Sequence, residues 1–329
     1  MASPLPSPAG TASVTVFASP SSWIESDAVE QCRQVAALDG MIHVAGMPDL
    51  HPGKGAPIGA AMLSSVLYPH LVGSDIGCGI AVFPLQLRRI VPERLARRFP
   101  NLDREPGVDD PAWDVVDRDA LGADLEGLGT LGRGNHFVEL ARVDTVLDVE
   151  SAARRGVAAG DVVLIVHSGS RGLGERILRA HVDARRYGPA PDAAAYLAAH
   201  DRAVRWGVLN RRMLAARTAD ALGARVADPL VEVCHNSAEV VDGRYLHRKG
   251  AAPGDGCGQA KHSVQELRRT PLGSFVVCGD RQLLFEEAPG AYKRIEQVVG
   301  DLAAHALAKP IATTVPLVTY KAPERGAGR

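Results

Sequence analysis

No two of the five cysteines, Cys32, Cys78, Cys234, Cys257 and Cys278, form a Cys-x-x-Cys pair, and their number is odd. That speaks against a disulfide framework and for a reducing, cytoplasmic setting. Charge of one sign is lacking too. Lys and Arg number 37 against 38 Asp and Glu, a formal net charge of −1. A chain without a global basic field does not coat nucleic acid non-specifically, although a local basic groove remains open to it. No apolar run is long enough to cross a membrane. The first 22 residues hold no charged side chain and are rich in Ser, Pro and Ala. With neither a basic start nor a continuous apolar stretch, residues 1–22 read as a flexible tail leading into a strand near Val14 to Ala18, rather than a signal peptide. Residues 322–329 read as a second, disordered tail. The remaining 23–321, in a chain of 46% hydrophobic content, suffices for a sizeable core.

Periodicity places the elements. Residues 26–38 put Val29, Cys32 and Ala36 on one helical face, with Ser26 or Asp27 as cap and Asp39-Gly40 as stop. A short strand at 42–45 leads into Met47-Pro48-Asp49-Leu50-His51-Pro52-Gly53-Lys54-Gly55. Two prolines and two glycines in nine residues argue for a loop. It is either a polar surface loop or a substrate-facing one, in which Lys54 meets phosphate and Asp49 orients a side chain or water. Strands are expected at 80–87, from His136 onward, and at 162–166, 229–234, 244–251, 274–278 and 315–320. Helices are expected at 92–99, at 192–222 with a break near Gly207, and at 289–307 with Ile295, Val298, Val299 and Leu302 facing inward. The charges of 192–222 form a solvated face or a basic side turned to RNA. Residues 100–127 carry no clear period.

The chemistry centres on Leu71-Val-Gly-Ser-Asp-Ile-Gly-Cys-Gly-Ile80, which sets Asp75 and Cys78 three residues apart among glycines 73, 77 and 79. A hard oxygen and a soft sulfur together suit a borderline divalent metal better than Ca²⁺ or Mg²⁺. Alone, the same stretch reads equally as a Gly-Cys-Gly turn beside a solvated Asp. Three further segments supply histidines. Gly132-Arg133-Gly134-Asn135 feeds a strand on which His136, Val138 and Leu140 share one face and Asn135, Phe137 and Glu139 the other. The apolar run 162–166 ends in His167, followed by Ser168-Gly169-Ser170-Arg171-Gly172, whose N–H groups suit an anion with Arg171 beside them. Residues 229–234 likewise run into His235-Asn236-Ser237. His247-Arg248-Lys249 offers three adjacent basic side chains, for phosphate contacts or on an exposed edge strand.

Asp75/Cys78, Asn135-His136, His167 and His235, with the Met47-to-Gly55 stretch and His247-Arg248-Lys249-Gly250-Ala251, make a chain that resembles the RtcB family of GTP-dependent RNA ligases. The likeness is to its shorter bacterial branch, associated with release-factor-like rescue proteins, and runs from about Ala45 to Lys321. It implies one irregular α/β domain over 23–321, of α+β character with mixed sheets and flanking helices, and a centre of two Mn²⁺ ions. It implies joining of an RNA 3′-phosphate or 2′,3′-cyclic phosphate to a 5′-hydroxyl, as in RNA repair and tRNA splicing, by way of a guanylated histidine. By position, Asp75, Cys78, His136, His167 and His235 would be metal ligands, with Cys78 bridging. Asn135, Glu139 and Lys321 would contact the guanylate, and Tyr292 would stack on guanine. Asp49, Lys54, Arg171, His247, Arg248 and Lys249 would meet RNA phosphates. Archease or a release-factor-like protein is the implied partner, and no membrane is involved.

One family feature is missing. The guanylated histidine belongs to a His-Gly-Ala-Gly-Arg motif, yet after Ala252 this chain reads Pro-Gly-Asp-Gly-Cys-Gly-Gln-Ala-Lys-His-Ser-Val and returns to family-like sequence by Pro271. An internal deletion near 252–269 is therefore expected. His262, the one histidine of that stretch, has none of the motif's glycines beside it and is a weak candidate nucleophile. Three outcomes stay open: ligation through a substitute nucleophile, a metal-dependent 2′,3′-cyclic phosphodiesterase, and a pseudo-ligase that binds RNA ends or nucleotide without turnover.

Overall fold

Alternating apolar patterning becomes two mixed sheets flanked by helices. In the computed structural model, the described residues are 3–5, 12–116, 121, 124–182, 187–250, 274–278, 280, 283–284 and 293–322. In chain order the strands are β1 (Ser3–Leu5), β2 (Ser13–Val16), β3 (Met41–His51), β4 (Ile58–Ser64), β5 (Gly79–Gln86), β6 (Phe137–Val146), β7 (Val162–Ser168), β8 (Arg225–Val226), β9 (Val231–Cys234), β10 (Asn236–Val241), β11 (Arg244–Lys249), β12 (Phe275–Cys278) and β13 (Ala312–Lys321). The α-helices are α1 (Ser26–Ala36), α2 (Pro92–Arg98), α3 (Val149–Arg154), α4 (Gly172–His181), α5 (Ala193–Leu222) and α6 (Ile295–Ala304). One sheet has the order β1-β2-β3-β4-β11-β10. The other runs β12-β13-β6-β7-β5-β8, with β9 also paired to β5. The β2/β3 and β12/β13 pairs are parallel and the rest antiparallel. The fold is thus α/β, with mixed sheets.

β7 lies between β5 and β6 and buries Val162, Val163, Leu164 and Val166. Its unbroken apolar run is what a strand covered on both faces requires. Against this sheet packs α5, joining Leu214, Ala215, Ala219 and Leu222 to Phe83, Leu140 and Leu164. A second cluster gathers Tyr196, Trp206 and Met213 with Ile76, Leu128 and Leu173. The first sheet buries Val14, Val44, Leu50 and Met62 against α1.

Several expectations are corrected. α5 is one helix of 30 residues, capped by the Asp192 carboxylate on Ala195 N–H and closed by left-handed Gly223. It does not break at Gly207. A Cβ there would stand 2.8 Å from the Gly77 carbonyl oxygen, so the glycine permits a close crossing over the Asp75/Cys78 loop. Gly207→Ala therefore tests packing against propensity. Helix propensity favours alanine by about 1 kcal/mol, whereas overpacking costs about 1–3 kcal/mol. We expect net destabilisation in urea, where propensity alone would predict a gain.

Met47 to His51 continues β3 rather than forming a loop. Its pairing with β4 is irregular between Gly46 and His51, and Pro48, which has no N–H to donate, falls in that interruption. The strand expected near Val14 to Ala18 is β2, Ser13–Val16, which pairs with β3 and buries Val14, so only the tail's extent is corrected. α6 starts only at Ile295, which is exposed together with Leu307. β11 is no edge strand: it lies between β4 and β10.

Candidate metal centre

Sheet register assembles the site. Gly79 of β5 pairs with Ser168 of β7 on one side and Cys234 of β9 on the other. Phe137 of β6 pairs with His167 of β7. The residues flanking these pairs are Cys78, His167, His235 and His136, so four chain segments deliver their side chains to one row. The His235 N–H donates to the Cys78 carbonyl at 2.9 Å and locks the neighbouring turn.

The side chains converge. Cys78 Sγ is 3.3 Å from His136 Nε2 and 3.3 Å from His167 Nε2. His167 Nε2 is 3.3 Å from His235 Nε2, and His136 Nε2 is 2.8 Å from Asp75 Oδ2. Cys78, His136 and His167 are all buried and offer donor atoms within 4.8 Å of one another. At the far side of each ring, His136 Nδ1 faces the Leu131 carbonyl and His167 Nδ1 the Asn135 carbonyl. A carbonyl can only accept, so each Nδ1 carries a hydrogen and each Nε2 faces the cluster. That second-layer hydrogen bond is how metal-ligating histidines are oriented.

The donor set fits a divalent cation. A lone pair and a carboxylate oxygen approach to 2.8 Å only with positive charge between them, a proton or a metal ion. One thiol proton cannot serve two imidazole lone pairs at once. An ion about 2.1 Å from nitrogen and about 2.3 Å from sulfur would set those atoms roughly 3.1–3.6 Å apart, which brackets the 3.3 Å seen. Titration agrees. Burial would raise the Asp75 carboxyl, but His136 and the Arg171 N–H outweigh it and hold it at about 2. Burial, then the neighbouring imidazoles, takes His167 well below the usual range, and burial takes His235 down to about 4. Both rings are therefore neutral, as ligands must be. Burial, then Asp75, pushes the Cys78 thiol well up. A bound cation reverses that, because a coordinating thiol is deprotonated.

The remaining candidates divide. Asn135 lines a cavity of about 460 Å³ with Ser74, Asp75, Arg133, His136 and Arg171. The Arg171 N–H donates to Asp75 Oδ1 at 3.0 Å. Glu139 sits on the other face of β6, bonded by the Thr319 hydroxyl at 2.7 Å. Burial raises its carboxyl, against the pull of Thr319 and of nearby Lys321. Asp49 is buried with Oδ2 unpartnered, and burial lifts it to about 6. Lys54 is exposed. Among the described residues no hydrogen bond or ion pair joins either to the cluster. His247 is not a phosphate contact: it is fully buried, accepts from the Tyr68 N–H and donates to the Met62 carbonyl. Arg248 pairs with Glu239 at 2.6 Å. Lys249, taken down to about 8 by burial, lies beside Gly73. Tyr292 and His262 fall outside the described residues.

Sequence reasoning missed Arg211. This fully buried residue of α5 donates from Nη1 to the carbonyls of Gly77 at 2.8 Å and Ser168 at 2.7 Å. From Nε it meets Glu232 at 2.6 Å. It thereby ties the residue before Cys78 to the residue after His167. A signal existed: Gly207, Asn210, Arg211, Leu214 and Thr218 recur at helical spacing on a buried face, and a polar pair on such a stripe needs partners.

Comparison with known proteins agrees with the geometry. The family model described as tRNA-splicing ligase RtcB matches residues 31–105 and 104–271. The RNA-splicing ligase RtcB2 of Escherichia coli is 37% identical over 365 aligned positions, covering 94% of this chain and 95% of that protein. Since 94% of 329 residues is about 309, some 56 of those positions face gaps in this chain. The RNA-splicing ligase RtcB of Mycobacterium bovis is 30% identical, over 88% of this chain and 100% of its own length. The tRNA-splicing ligase RtcB of Archaeoglobus fulgidus is 30% identical, over 71% and 67% respectively. A matched family model over most of the chain, relatives at this identity, and a buried Cys/His cluster of metal-ligating chemistry lead to one assignment: the chain belongs to the RtcB family of RNA-splicing ligases.

Proposed function

We propose that this protein works on RNA ends at a manganese centre, joining a 3′-phosphate or 2′,3′-cyclic phosphate to a 5′-hydroxyl with GTP as co-substrate. The observation that supports this most is the convergence of Cys78, His136, His167 and His235 beside Asp75. Two divalent ions, held by these five residues, would polarise phosphate oxygens and neutralise charge during phosphoryl transfer. The chain's own groups do the rest. Arg171 lines the entrance with its guanidinium, and Asn135 stands at the wall where a guanylate would lie. Glu139 and Lys321, close together on β6 and β13, would supply the remaining guanylate contacts.

A second reading has its own support, the lack of a His-Gly-Ala-Gly-Arg motif. Without a covalent nucleophile, the same centre would open 2′,3′-cyclic phosphates with no need of GTP. Guanylylation separates the two. Protein loaded with Mn²⁺ is mixed with α-labelled GTP, denatured without acid, and read by gel and intact mass. Ligation requires a covalent GMP adduct, and peptide mapping then names the nucleophile, His262 first. No adduct, with GTP-independent opening of the cyclic end that is lost in His136→Ala, favours the phosphodiesterase. The four described cysteines are free, which fits a reducing cytoplasm. No helix among the described residues is long and apolar enough to cross a membrane. Archease or a release-factor-like protein is the partner to assay for activation.

A further inference from the structure

Beyond the metal cluster the molecule keeps a second cavity of about 570 Å³, lined by Arg104, Arg133, Arg171 and Arg176 together with Gly127 and Thr130. It shares Arg133, Arg171 and Gly172 with the cavity that holds Asp75 and His136, so the two have a common wall. Its carboxylates are engaged. Glu126 pairs with Arg176 at 3.5 Å, Glu105 accepts the Gly127 N–H, and Asp103 accepts the Tyr320 hydroxyl. Of its arginines, Arg104, Arg133 and Arg171 have no described carboxylate within ion-pair distance of the guanidinium. Among the described residues Arg171 Nε is buried without a hydrogen-bond partner. Its backbone has φ 60° and ψ −137°, a conformation that costs a non-glycine residue about 1–3 kcal/mol and gathers at functional sites. Its guanidinium occupies the space a Cβ on Gly132 would need. Four arginines face three carboxylates in this lining, so it is net positive in a chain of net charge −1 and favours an anion. Planar guanidinium groups match phosphate oxygens bidentately.

We infer that this second cavity is a subsite for the single-stranded RNA backbone flanking the reacting end, with Arg133 at the junction and Arg104 on the next phosphate outward. The inference rests on the reading of the protein as an enzyme of RNA ends. The strand is either the one that ends in phosphate or the one that begins with 5′-hydroxyl, since both bring the same phosphodiesters.

The test uses the full-length, Mn²⁺-loaded protein and two fluorescent RNA octamers, one ending in 3′-phosphate and one beginning with 5′-hydroxyl, each labelled at its far end. Arg104 is exposed, so Arg104→Gln and Arg104→Glu should fold, and unchanged Mn²⁺ binding verifies it. We expect about fivefold weaker binding of one octamer for R104Q and at least about tenfold for R104E. The slope of log affinity against log salt should shrink by about 0.7 on loss of one phosphate contact. GTP binding should not change. The affected octamer identifies the strand. Wild-type affinity for both octamers in R104E overturns the subsite, as does an equal loss for GTP, which would make it a nucleotide site. A parent protein that binds neither octamer overturns the RNA-end reading as well.

Discussion

Cys78→Ser should bind Mn²⁺ at least about 100-fold more weakly than the parent and lose RNA-end chemistry altogether. Cys78 Sγ touches both His136 and His167 at 3.3 Å and is the sulfur donor of the buried cluster among the described residues. Serine keeps the shape but not the ligand, because its hydroxyl does not ionise at neutral pH. Loss of an outer-shell partner of a metal ligand already costs about 10–100-fold in affinity, and a lost inner ligand exceeds that. Isothermal titration with Mn²⁺, with far-UV circular dichroism as a fold control, measures it. The same cysteine sets a pH dependence in the parent. Burial and Asp75 push its thiol well up, so it is protonated in the metal-free protein and must release that proton on binding. His167 and His235 are already neutral and release none. Affinity should therefore rise about tenfold per pH unit between pH 7 and 9, a window above the ordinary titration range of imidazole. Higher pH favours the bound form, because the metal-free state holds the extra proton. Cys78→Ser should flatten the slope. A parent with no slope in that window would mean that Cys78 is not a ligand.

Arg211→Met should be the costliest single change away from the cluster. The Arg211 side chain is fully buried and Glu232 is 21% exposed, so the methionine leaves a largely buried carboxylate unpaired. Removing one partner of a buried ion pair costs about 3–5 kcal/mol, and the Gly77 and Ser168 carbonyls lose their donor as well. Arg211→Lys should recover only part of this, because an ammonium lacks the fork that reaches both carbonyls and Glu232. Arg211→Met with Glu232→Leu should regain more stability than Arg211→Met alone, since no charge is then stranded. Metal affinity separates stability from positioning. If Arg211 holds the Cys78 and His167 segments in register, the double variant stays folded yet binds Mn²⁺ about tenfold less well. Parental Mn²⁺ affinity in the double variant would reduce Arg211 to a packing residue.

The strands at 80–87, 162–166 and 315–320 and the helices at 26–38 and 92–99 were legible because each carries a clean period of two or 3.6, or an unbroken apolar run. The candidate ligands stood out in the sequence for a different reason: each histidine follows an apolar strand or a glycine-rich turn. Errors came where a local rule met a tertiary one. Two prolines and two glycines argued for a loop at residues 47–55, yet Met47 to His51 extends β3 through an irregular register. Gly207 argued for a broken helix, yet the helix is whole because the glycine admits the Gly77 carbonyl. His247 looked like part of a phosphate-binding triplet, yet β11 is an inner strand and takes its ring into the core.

By itself the sequence determined the fold class, the family and which side chains can ligate a metal, because these depend on residue type, period and local motif. The tertiary structure alone decided which of those side chains meet. Cys78, His136, His167 and His235 come from four segments spread over 158 positions, and only the pairing of β9, β5, β7 and β6 sets them in one row. It also decided that Arg211, read in the sequence as part of a solvated helix face, is the buried tie between two ligand loops. Burial and strand register are properties of contacts distant in the chain, and no local pattern encodes them.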